Sequence, residues 1–361
     1  MTSSARETAY PADIRVAEAD LTIIEPHNGH WLSLVEADPQ ASIFHHPVWM
    51  ELLAECYGFR PFVAAVYGHN GQIAAGLPFM EVNTVLSRRR WVALPFSDHC
   101  APLHRDPASL RQLVDGLASL AYQSSTLDIE IRWAIDHRAA KSHSDHVLHV
   151  LELGDEAGAV ASRFHRMHSR NIDIALKKGV RVELGNTAEH VETFYRLHVD
   201  TRRRQGIPVQ PVKFFRLLAR RLIEPGLGYV LLAYFGSECV AASVYLHWNR
   251  TLTYKFGASQ DDSLSLRPNN LLFWEAIRWG CEQGYTTLDM GRTGIENTGL
   301  RDFKSRWGAQ ETPLTYSVLS PRDARFTSDG GLLMPVMQGI IRKSPKWVCR
   351  AIGELLYRHF A

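Results

Sequence analysis

One hairpin is written twice in this chain. Phe62-Val-Ala-Ala-Val-Tyr67, a Gly/Asn turn and Ile73-Ala-Ala-Gly-Leu-Pro78 align without a gap against Tyr229-Val-Leu-Leu-Ala-Tyr234, a Gly-containing turn and Val240-Ala-Ala-Ser-Val-Tyr245. Apolar runs on either side of such a turn form paired antiparallel strands, and a single example is commonplace. The surroundings are what constrain the fold. Each hairpin follows helical segments (about 29–38 and 46–56; 186–204 and 211–223) and precedes a strand, a helix (107–124; 269–284) and a further strand (126–135; 286–291). The same order twice predicts an α/β (α+β) protein of two tandem copies, residues 10–150 and 151–320, each a mixed, mostly antiparallel sheet flanked by helices. Residues 321–361 remain as a basic, amphipathic C-terminal tail.

Composition leaves room for two such units. The chain has 361 residues, 45% of them hydrophobic, and 40 basic against 38 acidic side chains, so no charged tail dominates it. Its five cysteines (Cys56, Cys100, Cys239, Cys281, Cys349) are odd in number and contain no Cys-x-x-Cys pair. That pattern argues against a disulfide framework or a zinc knuckle and suits a reducing cytoplasm. Histidines gather at 45–46, 143–146 and 165–168, yet none stands at a metal-ligand spacing among cysteines or carboxylates, so no metal is assigned. The first thirty residues lack the apolar core of a secretory signal, and no apolar run approaches the ~20 residues of a membrane span.

Several cationic and polar residues fall where strands end and helices begin, the places ligands favour. On a single helix opening the second copy, Arg163, Arg166, Arg170 and Lys177 would share a face beside an apolar stripe of Val160, Phe164, Met167 and Ile174. That face is either a solvated flank or a phosphate-facing ridge, with Arg163 and Arg170 as donor contacts. Arg202-Arg203-Arg204 is a second cluster, of which one or two side chains, Arg202 and Arg204, could meet the same anion. Arg292, behind Asp289 and Gly291, offers a planar fork to a phosphate or carboxylate, or else an ion pair to Asp289. Asn269 and Asn270 start a helix behind Pro268, so one can cap it while the other binds an amide. Tyr254 either packs or turns its hydroxyl to the cleft. In the first copy, Ser97 and Asp98 lie on a loop at a sheet end, which is otherwise an ordinary polar turn.

The segments Tyr254-Lys-Phe-Gly-Ala-Ser, Leu266-Arg-Pro-Asn-Asn270, Asp289-Met-Gly-Arg-Thr293 and Gly299-Leu-Arg-Asp-Phe-Lys-Ser-Arg-Trp-Gly308 resemble the second half of the Fem-type transferases and of related GNAT acyltransferases. His198-x-x-Thr201-Arg-Arg-Arg204-x-Gly206-x-Pro208, followed by Phe214-Phe215, resembles the same group. The likeness runs through most of 160–318 and is weaker over roughly 30–130. It implies acyl or aminoacyl transfer to an amine on a pair of GNAT-like domains, and it leaves the donor open.

Transfer to an amine needs an oriented acceptor, a route for its proton, and positive charge where the carbonyl oxygen becomes an oxyanion. No Gly-x-Ser-x-Gly elbow is present, and Cys239 and Cys281 sit in apolar segments, so direct transfer without a covalent enzyme intermediate is expected. Lys304 stands at the Phe-Lys position where, by the resemblance, a lysine assists transfer; otherwise it would be a surface lysine on an amphipathic helix. Arg301 and Arg306 bracket it and would strengthen the local field.

No tightly bound cofactor is expected, and the donor is either aminoacyl-tRNA or acyl-coenzyme A. The nearest approximation to a coenzyme A pyrophosphate loop, Arg203-x-x-Gly206-x-Pro208, ends in Pro and joins two helices. The expected acceptor is an amine-bearing envelope precursor or sugar. A degenerate binding module at a membrane surface is the alternative, since Arg342, Lys343, Lys346, Arg350 and Arg358 interleave with Trp347, Val348, Ile352, Leu355 and Leu356. Such a tail either docks on the protein or lies on anionic lipid.

Overall fold

The computed structural model describes residues 14–16, 21–83, 89–124, 126–321 and 333–360. The first copy contains β1 (Ile14–Val16), β2 (Leu21–Ile24), α1 (Gly29–Ala37), α2 (Pro47–Tyr57), β3 (Arg60–Tyr67), β4 (Ile73–Asn83), β5 (Arg89–Val92), β6 (Leu103–His104), α3 (Pro107–Gln123), β7 (Leu127–Ile131) and β8 (Ala140–Glu152). The second contains α4 (Ala157–Ala161), α5 (Arg166–Lys177), β9 (Arg181–Gly185), α6 (Ala188–Gln205), α7 (Val212–Leu218), β10 (Gly228–Phe235), β11 (Glu238–Trp248), β12 (Thr251–Ser259), α8 (Pro268–Glu282), β13 (Thr287–Gly294), α9 (Thr298–Ser305) and β14 (Gln310–Leu319). Helices α10 (Leu333–Lys343) and α11 (Lys346–Leu356) follow.

Local chemistry sets many of these boundaries. Asp106 accepts from the Ala108 and Ser109 amides and Pro107 takes the first turn of α3, while α2 begins with Pro47 and ends at Gly58 in the left-handed region. The repeated hairpins are β3–β4 and β10–β11. In both copies the next strand pairs in parallel, across a helix, with the strand after it: β5 with β7 from Arg89↔Leu127 to Val92↔Glu130, and β12 with β13 from Thr251↔Thr287 to Thr253↔Asp289.

The two expected sheets are fused into one. Its order is β1-β2-β3-β4-β5-β7-β14-β8-β13-β12-β11-β10-β9, with β6 paired to β4 off this path. The centre holds an exchange. Strand β8, which ends the first copy, pairs with β13 of the second, and β14, which ends the second, pairs with β7 of the first. β8 and β14 also pair with each other, so the strand order is two-fold symmetric about the line between them over six strands on each side, with β1 added at one edge. Each terminal strand thereby covers an edge that would otherwise expose unpaired N–H and C=O groups.

The largest core draws on both copies. Phe44, Trp49 and Leu53 belong to it together with Phe194, Phe214, Phe215 and Phe256, and the Trp49 and Phe214 rings lie 6.1 Å apart. A second core, containing Phe164, Tyr245, Phe273, Ile277, Met290 and Trp307, lies mainly within the second copy and takes Leu151 from β8.

One expectation about the helices is corrected here. The helix opening the second copy breaks after Ala161 and restarts at Arg166, because His165 takes an extended conformation, caps α5 with its ring and donates its amide to Arg306 O. Arg163 therefore leaves the face shared by Arg166 and Arg170, and Met167, placed in the apolar stripe, is exposed. The coenzyme A-like loop is also closed off. Gly206 ends α6 with φ 74°, and a side chain there would meet Gln338 O of α10 at 2.9 Å, so its smallness serves helix packing.

Of the tail, residues 322–332 lie outside the described residues. Helix α11 docks on the protein: Cys349 is buried, Lys346 pairs with Asp200 at 2.8 Å, the Val212 amide donates to Glu354 Oε1 at 2.9 Å, and Gly353 packs against Val209 O too closely for any side chain.

Candidate active site

Strand β12 runs to Ser259 and β13 to Gly294, yet their mutual pairing stops at Thr253 and Asp289. Two irregularities drive them apart. β12 bulges at Lys255, between the pairs Val244↔Phe256 and Tyr245↔Tyr254, and β13 bulges opposite β8 between Asp289 and Arg292, where Gly291 has φ 71°. The loop carrying Ser97, Asp98 and His99 reaches in from the first copy and bridges the separated strands.

That loop is held firmly. Leu94 and Phe96 both have positive φ, a costly conformation for such residues that persists only when the surroundings enforce it. Ser97 is buried: its hydroxyl donates to Leu94 O and its carbonyl accepts from Arg132 Nη1 at 2.8 Å. Lys255 Nζ donates to Phe96 O at 2.7 Å from within an aromatic cage of Phe44, Trp49 and Phe256. Tyr316 donates its hydroxyl to Asp98 O. Ser97 thus supports the loop, and Asp98 is the side chain it presents.

Around Asp98 lies a compact set of charges from both copies. Arg292 Nε is 3.8 Å from Asp98 Oδ1, and Arg292 Nη1 is 3.3 Å from the Tyr316 hydroxyl. His99 Nε2 meets Asp289 Oδ2 at 2.7 Å, and Asp289 Oδ1 accepts the Gly291 amide at 2.8 Å. The alternative weighed from sequence, an Asp289–Arg292 pair, gives way to these two cross-copy pairs. Burial alone would raise the Asp98 pKa, but Lys255, Arg292 and Lys304 outweigh it and hold the carboxyl below its usual range. Burial would likewise lower the His99 pKa, but the Asp289 charge and hydrogen bond, with Asp98, raise it overall. Two carboxylates thus face Lys255, Lys304 and Arg292, an excess of positive charge, beside an imidazole whose affinity for a proton is raised.

Lys304 is not the surface lysine its amphipathic helix suggests. It is 3% exposed, and Nζ donates to Gly291 O at 2.8 Å and Arg292 O at 3.2 Å, bonds that leave one of its three N–H donors for a ligand. Burial lowers its pKa to about 8, against the pull of Asp98 and Asp289. Helix α9 is positioned from behind. Phe303 O accepts His168 Nε2 at 2.9 Å, Asn270 Nδ2 lies 2.7 Å from His168 Nδ1, and the His168 ring stacks on Trp307 with centroids 4.2 Å apart. Burial lowers the His168 pKa, and a neutral ring donating at Nε2 and accepting at Nδ1 fits both contacts. Asn270, expected to cap α8 or bind a ligand amide, instead ties α8 to α5 and α9.

The remaining candidates divide. Tyr254 is half-buried beside Phe273 and its hydroxyl lies over Gly257, where burial pushes its pKa up to about 12. Asn269 occupies the first turn of α8 and is partly exposed. Arg301 grips Glu311 with both arms of its guanidinium, at 3.0 and 2.7 Å, so it lies outside the charge cluster. Arg163 donates to Glu152 O, Arg170 is exposed on α5, Arg202 bonds His198 at 3.4 Å, and Arg204 reaches Ser259 O and Asp261. These four do not converge. Sequence reasoning passed over Lys255, His99 and Tyr316. Only Lys255 left a local signal, as a lone cation within the apolar strand Leu252–Phe256.

Comparison with known proteins bears on the fold and the family likeness. Residues 162–305, most of the second copy, match the model of the acetyltransferase (GNAT) domain family. A segment of 126 residues is 22% identical to the UDP-N-acetylmuramoylpentapeptide-lysine N(6)-alanyltransferase of Weissella viridescens; the match covers 35% of this chain and 36% of that enzyme. The crystal structure of FemX superposes with a TM-score of 0.66 at 15% identity, covering 88% of this chain and 99% of that one. L-PGS from Bacillus licheniformis has a TM-score of 0.52 at 12% identity, over 91% and 98%. The two-copy GNAT-like fold and the resemblance read from the motifs therefore stand.

Proposed function

We propose that this protein transfers an aminoacyl group from aminoacyl-tRNA to the amine of an envelope precursor, directly and without a covalent enzyme intermediate. The observation that carries this reading is Lys304, buried where β12 and β13 part, with one donor to spare. As the acceptor nitrogen bonds to the ester carbon, the carbonyl oxygen becomes an anion that the Lys304 ammonium can stabilise. Preorganised charge of this kind acts mainly on the transition state. When the tetrahedral intermediate collapses, the C–O bond to the ribose breaks and the alkoxide leaves with a proton. The amine's own proton needs an acceptor, and His99, oriented by Asp289, is a suitable one.

In this reading the first copy, about residues 10–150, supplies Asp98 and His99 as one wall, and residues 151–320 supply Lys304, Arg292 and Tyr254. Arg292 holds an anionic group of the acceptor. Asn269 and Arg301 sit at the periphery, and Arg170, Arg202 and Arg204 are available to a phosphate backbone passing outside the cleft. The donor is assigned to tRNA because Gly206, the one glycine of the coenzyme A-like segment, is spent on helix packing and the loop before α8 carries Asp261 and Asp262. Similarity to an alanyltransferase acting on a muramoyl pentapeptide supports the acceptor class.

The test is a donor screen of the purified protein against charged tRNAs and acyl-coenzyme A compounds, with a lysine-bearing muramoyl pentapeptide as acceptor. Turnover is expected with an aminoacyl-tRNA. Turnover with an acyl-coenzyme A alone would replace the proposed donor, and binding of either without turnover would leave a catalytically degenerate module.

A further inference from the structure

The two helices that close the chain keep a large apolar surface in water. Among the described residues thirteen large hydrophobic side chains are exposed, and four of them, Ile340, Trp347, Leu355 and Leu356, fall within this one segment. Trp347 and Leu355 are the most exposed of all, at 70% each. Trp347, Ala351 and Leu355 recur at four-residue spacing, so they form one stripe along α11. The opposite side of that helix is committed to the protein through Cys349 and Gly353, so the stripe stays exposed after docking.

Cations outnumber carboxylates along this segment, although Lys346 is already paired with Asp200. From Arg342 to Arg358 there are five cations, Arg342, Lys343, Lys346, Arg350 and Arg358, against one carboxylate, Glu354, which is tied to the Val212 amide. Arg216 of α7 adds to this field beside Tyr195 and Arg350. An exposed indole and leucines on a segment rich in cations complement the interface of a bilayer with anionic headgroups, where rings and aliphatic chains enter the acyl boundary and exposed cations such as Lys343 meet phosphate. No helix among the described residues is long and apolar enough to cross a membrane, so the contact would lie in the surface plane.

We infer that the exposed face of α10 and α11 docks this protein on anionic lipid. The inference is independent of the transferase reading, since it is tested without turnover. The full chain is sedimented with vesicles of phosphatidylglycerol and phosphatidylcholine in equal parts, and with phosphatidylcholine alone. Association is expected with the anionic vesicles, weakening as salt screens the cations. Brominated lipid should quench tryptophan emission in the parent and much less in Trp347→Ser. Trp347→Ser with Leu355→Ser should lower the vesicle-bound fraction by about tenfold or more, and Lys343→Glu by less. Both variants alter exposed side chains, so unchanged melting serves as the folding control. No association at low salt, equal association with neutral vesicles, or absence of quenching would overturn the inference. So would a dimer in lipid-free solution that is lost in the double variant, because the stripe would then belong to a second copy of the chain.

Discussion

The two copies close the end of the same parallel strand pair in opposite ways. Each pair finishes on a carboxylate, Glu130 opposite Val92 in the first and Asp289 opposite Thr253 in the second. Glu130 is neutralised within its own copy by Arg90 at 2.8 Å and Arg132 at 3.3 Å. Burial would raise its pKa, but the two guanidiniums more than offset this and hold it low. Beyond the pair, the Arg132 carbonyl is bound by the backbone amide of Cys100. Asp289 instead depends on His99 from the other copy, and the carbonyls of Gly291 and Arg292 are bound by the side chain of Lys304. A backbone bond is fixed once the loop folds. A lysine with a spare donor can share its charge with a ligand, so this strand end of the second copy is the one able to meet a reacting group.

The largest effect is expected on the first side of that contrast. Glu130→Gln would leave two largely buried guanidiniums without their carboxylate, at a cost of about 3 kcal/mol or more in stability. Calorimetry should show the loss, while the folded variant keeps its rate. A drop in rate at full stability would mean that the Glu130 cluster, and not only the Asp98–His99 loop, acts on the reaction.

On the second side the expectation reverses. Lys304→Met should lower turnover by about a hundredfold, roughly 2.7 kcal/mol of barrier, with donor and acceptor binding little changed. It should not melt below the parent at pH 7. The folded-state pKa of Lys304 lies near 8, below the unfolded value of 10.5, so folding opposes its charge at neutral pH. Between those values the unfolded chain binds more protons, so the parent gains stability as pH rises from 8 toward 10.5, and Lys304→Met should lack that gain. Activity should fall over the lower part of this window as the ammonium is lost. A rate that climbs through pH 8 would identify Lys304 as a base, and full activity in Lys304→Met would pass the role to Arg292.

The smallest effect concerns the hinge of the comparison. Gly291→Ala puts a side chain on a residue at φ 71°, with its Cβ 2.5 Å from Asp98 Oδ2, so strain of about 1–2 kcal/mol and a displaced Asp98 are expected. Activity should fall more than stability. Equal stability and equal activity would show that Asp98 moves freely and does not set the geometry.

How far the sequence could be followed depended on distance along the chain. The hairpins, α2, α3, α6 and α8 were legible because period, caps and glycine stops act within a few residues. Strand β8 was not, since its first half, Lys141-Ser-His-Ser-Asp-His146, alternates no apolar face and is specified by β13 and β14, far away in sequence. The site divides likewise. Lys304, Arg292 and Asp98, which the fold gathers at one place, were named from motif and loop position, whereas the His99–Asp289 pair spans 190 residues and left no local trace. The burial of Lys304 was missed because a helix in isolation does not reveal which strand it will cover.

The exchanged strands also set a timetable for the newborn chain. On the ribosome β7 emerges long before its neighbour, because Ile131 pairs with Ser317. β8 waits similarly, since Val147 and Leu151 find their partners in Thr293 and Leu288 only after the second hairpin has formed. The middle of the sheet therefore zips last, from contacts of high sequence separation that close slowly. Until synthesis passes Leu319, the N-terminal portion carries an open edge that invites strand pairing with other chains.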